Sequence, residues 1–135
     1  LALHPRGVVI LVGTNDVEEG APPDTIAGNV ALVLEALAAS DPALPILLCE
    51  VFPSSPSQRR PRDRITSLNQ RYASLVSGKP HVTLVHTWRV FADASGDAKR
   101  SEFPDLLHPN EIGYAKWAEA LRPALGAVHL LPAGA

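Results

Sequence analysis

The chain has 135 residues, a formal net charge of −2, 46% hydrophobic residues and only 19% charged ones. That is the size and balance of one globular domain; it excludes an acidic disordered chain and gives no electrostatic attraction to nucleic acid or an anionic membrane. The single cysteine, Cys49, excludes an internal disulfide and a cysteine metal cluster, and no apolar run reaches the roughly 18 residues of a membrane-spanning helix.

Residues Gly7–Val12 (GVVILV) form a continuous β-branched run, the pattern of a strand buried on both faces, as in a parallel sheet. A polar stretch, Thr14–Glu19, and a Gly/Pro-rich turn follow. Asp24 is placed to cap a helix reaching about Ala39, with Ile26, Val30, Val33, Leu34 and Leu37 on one stripe. Ser40-Asp41-Pro42 ends it. Ile46–Phe52 (ILLCEVF) reads as a second buried strand, in which Cys49 suits a small buried hydrophobe. Glu50, unusual in such a strand, is expected at the edge of a cleft or paired with an arginine.

Pro53–Pro61 is a Ser/Pro-rich loop. Arg59, Arg60, Arg62 and Arg64 then read as a solvated face or as a patch toward an anionic substrate. A helix is expected from about Asp63 to Ser77, with Ile65, Leu68, Tyr72 and Val76 on one face and Gly78 ending it. Val82–His86 is a third, short strand. Thr87–Pro104 reads as an irregular connection carrying Trp88 and Phe91. The last helix runs from about Asn110 to Leu125, with Tyr114, Trp117, Ala118, Leu121 and Leu125 on one face, and residues 130–135 form a tail.

Such alternation of strands and helices implies a parallel sheet covered by helices on both faces. Ligands of such sheets bind beyond the carboxyl ends of the strands, where two polar groups fall. Gly13-Thr14-Asn15-Asp16 is either a turn or the carrier of an amide donor, Asn15, for a developing oxyanion. Asp105-Leu106-Leu107-His108-Pro109 is a turn, part of a metal site, or a carboxylate orienting an imidazole that acts as general base.

Together, Gly13-Thr14-Asn15-Asp16 after a buried strand and Asp105-x-x-His108-Pro109-Asn110-x-x-Gly113-Tyr114 opening the final helix resemble the SGNH (GDSL-type) hydrolases. Within that family the likeness is to the branch that includes the catalytic subunits of platelet-activating-factor acetylhydrolase. It runs from Arg6 to about Leu125. The resemblance implies a flavodoxin-like three-layer α/β/α sandwich with a parallel sheet. It also implies hydrolysis of short acyl esters of a lipid or carbohydrate through an acyl-enzyme, with no metal or other cofactor. By position His108 matches the family's base, Asp105 its acid and Asn15 its oxyanion-hole asparagine. Thr14, Asp16, Ser54 and Trp88 are expected to border the substrate, with Trp88 and Phe91 lining an acyl pocket or the core.

The family's nucleophilic serine lies in a Gly-Asp-Ser motif after its first strand, and no Gly-Asp-Ser occurs between Leu1 and Ala135. A stand-in among Ser54, Ser55 and Ser57 would lack the fixed geometry a nucleophile needs. The chain also contains no methionine and begins Leu1-Ala2-Leu3. Residues 1–129 are therefore expected to be the C-terminal portion of one SGNH-type domain, N-terminally incomplete, with the remaining strands upstream. The expected partners are a small acyl ester and no nucleic acid. Self-association or a complementing N-terminal segment would cover the open edge of the first strand. The alternative is a non-catalytic binding module on a degenerate SGNH scaffold.

Overall fold

The computed structural model describes residues 3–132. The three β-branched runs become strands β1 (Val8–Ile10), β2 (Ile46–Cys49) and β3 (Val82–Val85), side by side in the order β1-β2-β3. Both pairings are parallel, with Val8 opposite Ile46 and Ile46 opposite Val82. All four residues of β2 are buried, as a central strand covered on both faces must be. The strands are shorter than their apolar runs, which continue into the site as irregular chain.

The helices are α1 (Thr14–Glu19), α2 (Pro23–Ser40), α3 (Arg62–Val76), α4 (Thr87–Phe91) and α5 (Glu111–Ala127). On one face of the sheet, Ile26, Val30 and Leu34 of α2 and Ile65, Leu68 and Tyr72 of α3 pack with Ile46 and Leu48. On the other, Leu121, Ala124 and Leu125 of α5 cover Leu47, Cys49 and Val85. The result is a three-layer α/β/α arrangement around a parallel sheet. Cys49 is fully buried, and burial pushes its thiol up to about 11, as befits a small core hydrophobe.

Four local expectations are corrected. Thr14–Glu19, a polar stretch in the sequence, is helical as α1. Asp24 does not cap α2: Pro22 precedes the helix, Pro23 opens it, and Asp24 pairs with Arg71 of α3 instead. The connection after β3 is not wholly irregular, because Phe91 on α4 packs edge to face on Phe52 and Phe103, at 4.9 and 5.1 Å between centroids. The core-facing stripe of α5 runs through the half-buried Trp117, Leu121, Ala124 and Leu125, while Ala118 and Tyr114 are exposed. Of the expected tail 130–135, residues 130–132 are described. Leu130 returns its N–H to the Leu125 carbonyl at 2.9 Å and lies over Gly7, and residues 133–135 fall outside the described chain.

Candidate active site

Asn15 is placed by the way β1 ends. Gly13 turns the chain with φ 109°, a left-handed conformation that disfavours side chains, and a Cβ there would lie 2.6 Å from Tyr72 Oη. That hydroxyl donates to the Val12 carbonyl at 2.9 Å, tying the turn to α3. α1 starts at once, so Asn15 stands exposed in its first turn, beyond the carboxyl edge of the sheet.

Asp105 and His108 are brought together within one turn of loop. Asp105 Oδ2 lies 2.6 Å from His108 Nδ1, and its Oδ1 accepts the backbone N–H groups of Leu107 (3.0 Å) and His108 (2.7 Å). These bonds, the imidazole's foremost, hold the Asp105 carboxyl well below the usual carboxylate range. With Nδ1 on the carboxylate, Nε2 is the nitrogen left to take a proton. The bend requires Leu106 at φ 62°, a costly conformation for a non-glycine residue. Two side chains from the loop after β2 steady it: Ser54 Oγ donates to the Leu106 carbonyl at 2.7 Å and Gln58 Nε2 to the Asp105 carbonyl at 2.9 Å.

His108, Asn15 and Thr14 face one cleft of about 210 Å³, whose apolar wall includes Leu11, Phe52, Tyr114 and Trp117. Asp16 borders an adjacent hollow that shares Thr14 and Asn15. Two expected substrate neighbours lie elsewhere. Ser54 is buried with its hydroxyl held by Leu106, and Trp88 lines a separate cavity with Glu50 and Asn69. Among the described residues lining the cleft there is no serine. Ser55 and Ser57 bond to each other at 2.6 Å. Glu50 pairs with His86 at 2.8 Å rather than with an arginine.

The basic cluster is not a uniform solvated face. Arg59 is exposed, but Arg60 is only 2% exposed and reaches under α1 to Thr14, Asn15 and Glu18. Its role was hidden in the sequence because its partners lie more than forty residues away. Tyr114, read as part of the buried stripe, stands at the cleft instead. Among the described residues, no group of three or more His, Cys, Asp or Glu is placed to hold a metal ion, and no helix is long and apolar enough to cross a membrane.

Residues 1–116 match the GDSL-like lipase/acylhydrolase family. No curated protein matches the sequence. Among solved structures, the chain is 25% identical to a Streptococcus pneumonia protein provisionally called a platelet activating factor, with a TM-score of 0.81 over 88% of this chain and 59% of that one. A GDSL-like lipase from Bacteroides thetaiotaomicron is 27% identical, with a TM-score of 0.75 over 93% of this chain and 64% of its own. A family 3 carbohydrate esterase from Talaromyces cellulolyticus, at 23% identity, shares the fold with a TM-score of 0.69, over 95% of this chain and 61% of its own. The chain thus spans less than two thirds of each of these structures.

Proposed function

The chain belongs to the GDSL-like lipase/acylhydrolase family, and on that premise we propose that the complete protein hydrolyses a short acyl ester of a lipid or carbohydrate. The observation that carries this reading is the shared cleft: an imidazole oriented by a carboxylate and a side-chain amide face the same space. Residues 1–129 act as the C-terminal portion of the catalytic domain, and a serine outside residues 1–135 supplies the nucleophile. That serine's Oγ attacks the acyl carbonyl and gives its proton to His108 Nε2. Asp105 holds the imidazole and stabilises the imidazolium, while Asn15 Nδ2 donates to the oxyanion. The proton passes to the leaving alcohol, and water repeats the sequence to release the acid. Leu11, Phe52, Tyr114 and Trp117 offer an apolar wall suited to a short acyl chain.

The test is hydrolysis of p-nitrophenyl acetate by the complete protein. His108→Ala is expected to reduce it to background, and Asn15→Ala to lower kcat roughly 10²–10³-fold, the scale for one oxyanion donor. Residues 1–135 alone are expected to release no nitrophenol above background. Wild-type turnover by both variants would overturn the reading and favour a binding module on this scaffold.

A further inference from the structure

The side-chain amide of Asn15 has two unlike ends. Its Nδ2 can donate to an oxyanion, whereas its Oδ1 presented to the same oxygen would repel it. Which end meets the cleft is decided by what engages the other. Behind the amide lies Arg60, whose Nη2 is 3.3 Å from Asn15 Oδ1. A guanidinium donates and never accepts, so it can stabilise the amide only through the oxygen. With Oδ1 turned to Arg60, Nδ2 is the end left for the cleft.

Arg60 is itself held from several sides. Nη2 also donates to Glu18 Oε2 at 2.5 Å, Nε to the Thr14 carbonyl at 3.0 Å, and Nη1 to the Gln58 carbonyl at 2.9 Å. Its backbone N–H donates to the Ser55 carbonyl at 3.1 Å. Glu18 is shared with Arg59, 2.6 Å away, and the two guanidinium groups hold its carboxyl below the ordinary range. A charged side chain that is only 2% exposed is uncommon unless fully paired. Here the pairing spans both ends of α1: the carbonyl of Thr14 and the amide of Asn15 at its start, the carboxylate of Glu18 near its end. The same loop, through Ser54 and Gln58, also holds the carbonyls of Leu106 and Asp105. One stretch of seven residues, 54–60, therefore reaches both halves of the site.

We infer that Arg60 is a positioning residue for the oxyanion donor: by engaging Asn15 Oδ1 and the first turn of α1, it directs Asn15 Nδ2 into the cleft. This rests on the reading of Asn15 given above. Arg60 does not reach the reacting atoms, and its effect on turnover passes through Asn15. A guanidinium that supported only the overall stability of the fold would act independently of what stands at position 15.

The experiment is a double-mutant cycle in the complete protein with p-nitrophenyl acetate. Arg60→Met is expected to lower kcat about 10–100-fold, less than removing the donor itself, with KM within about twofold of wild type. In an Asn15→Ala background the same change is expected to cost less than about threefold, because residues acting as a unit are not additive. Arg60→Lys keeps the charge beside Glu18 but loses the fork, so it is expected to fold and to show an intermediate kcat. It carries the test where Arg60→Met fails to fold. Wild-type kcat in the folded Arg60 variants overturns the inference, as does a full multiplicative loss in the double mutant or a loss confined to KM. Loss at Asn15 with none at Arg60 sinks only this inference. No loss at Asn15 sinks the functional reading and this one with it.

Discussion

The Asp105 carboxylate gathers three donors within a single turn of chain, and its charge is what makes those bonds strong. Its pKa is lower in the folded chain than in the unfolded one, so on acidification the unfolded state takes up the proton first. The stabilisation is therefore complete above the ordinary carboxylate value near 3.9 and is lost as pH falls below it. Half exposure keeps the effect small. Asp105→Asn lacks that contribution at every pH, so the gap in denaturant midpoint between wild type and variant is expected to narrow from about pH 5 downward; a gap independent of pH would show that the charge is not involved. At neutral pH the same variant of the complete protein is expected to lose on the order of 10³–10⁴ in kcat, the scale on which a triad suffers when its carboxylate no longer selects the tautomer. Asn15, Asp105 and His108 were legible as candidates because each belongs to a short local pattern. Arg60 was not, since its bonds to Asn15 and Glu18 cross 45 and 42 residues of chain. Nor was the anchoring role of Ser54, 52 residues from Leu106.

At the scale of elements, the alternation of buried strands and amphipathic helices was read directly, because a parallel sheet with both faces covered leaves continuous apolar runs. Boundaries drifted where packing decided instead. α5 keeps one helical face, but its stripe begins at Trp117 because Phe52 receives that ring edge to face at 5.2 Å, leaving Tyr114 to the cleft. α1 is not legible in the sequence, since six residues with one buried side chain, Val17, carry almost no periodic signal. Its place depends on Gly13. Gly13→Ala forces a side chain into a left-handed turn and against Tyr72 Oη. The conformational penalty alone is about 1–2 kcal/mol, and the steric one adds to it. Urea unfolding of residues 1–135 is expected to show at least that loss, and Asn15 would be displaced with α1. A Gly13→Ala midpoint equal to wild type would mean the turn relaxes at no cost, contrary to the contacts with α3.

Across the whole molecule, helices cover both faces of the central strand β2, but among the described residues β1, like β3, has a neighbouring strand on one side only. Val8 donates its N–H to the Pro45 carbonyl, toward β2. In a parallel strand the next residue points its N–H and carbonyl the other way, so those of Val9 face the open edge. The side chains of Val9 and Val12 are 41% and 46% exposed along the same segment. An apolar edge with free hydrogen-bonding groups is a template for another strand. Residues 1–135 by themselves are accordingly expected to associate as concentration rises, in static light scattering. Val9→Lys places a charge on that edge without touching the ladder to β2, and is expected to suppress association while leaving the melting midpoint unchanged. A wild-type chain that stays monomeric throughout would mean the edge is not adhesive. A Val9→Lys chain that associates as before would move the contact elsewhere, to the exposed Leu32 and Val33 of α2. Suppression by a single lysine would instead mark β1 as the side on which a complementing strand docks, next to the turn that carries Asn15.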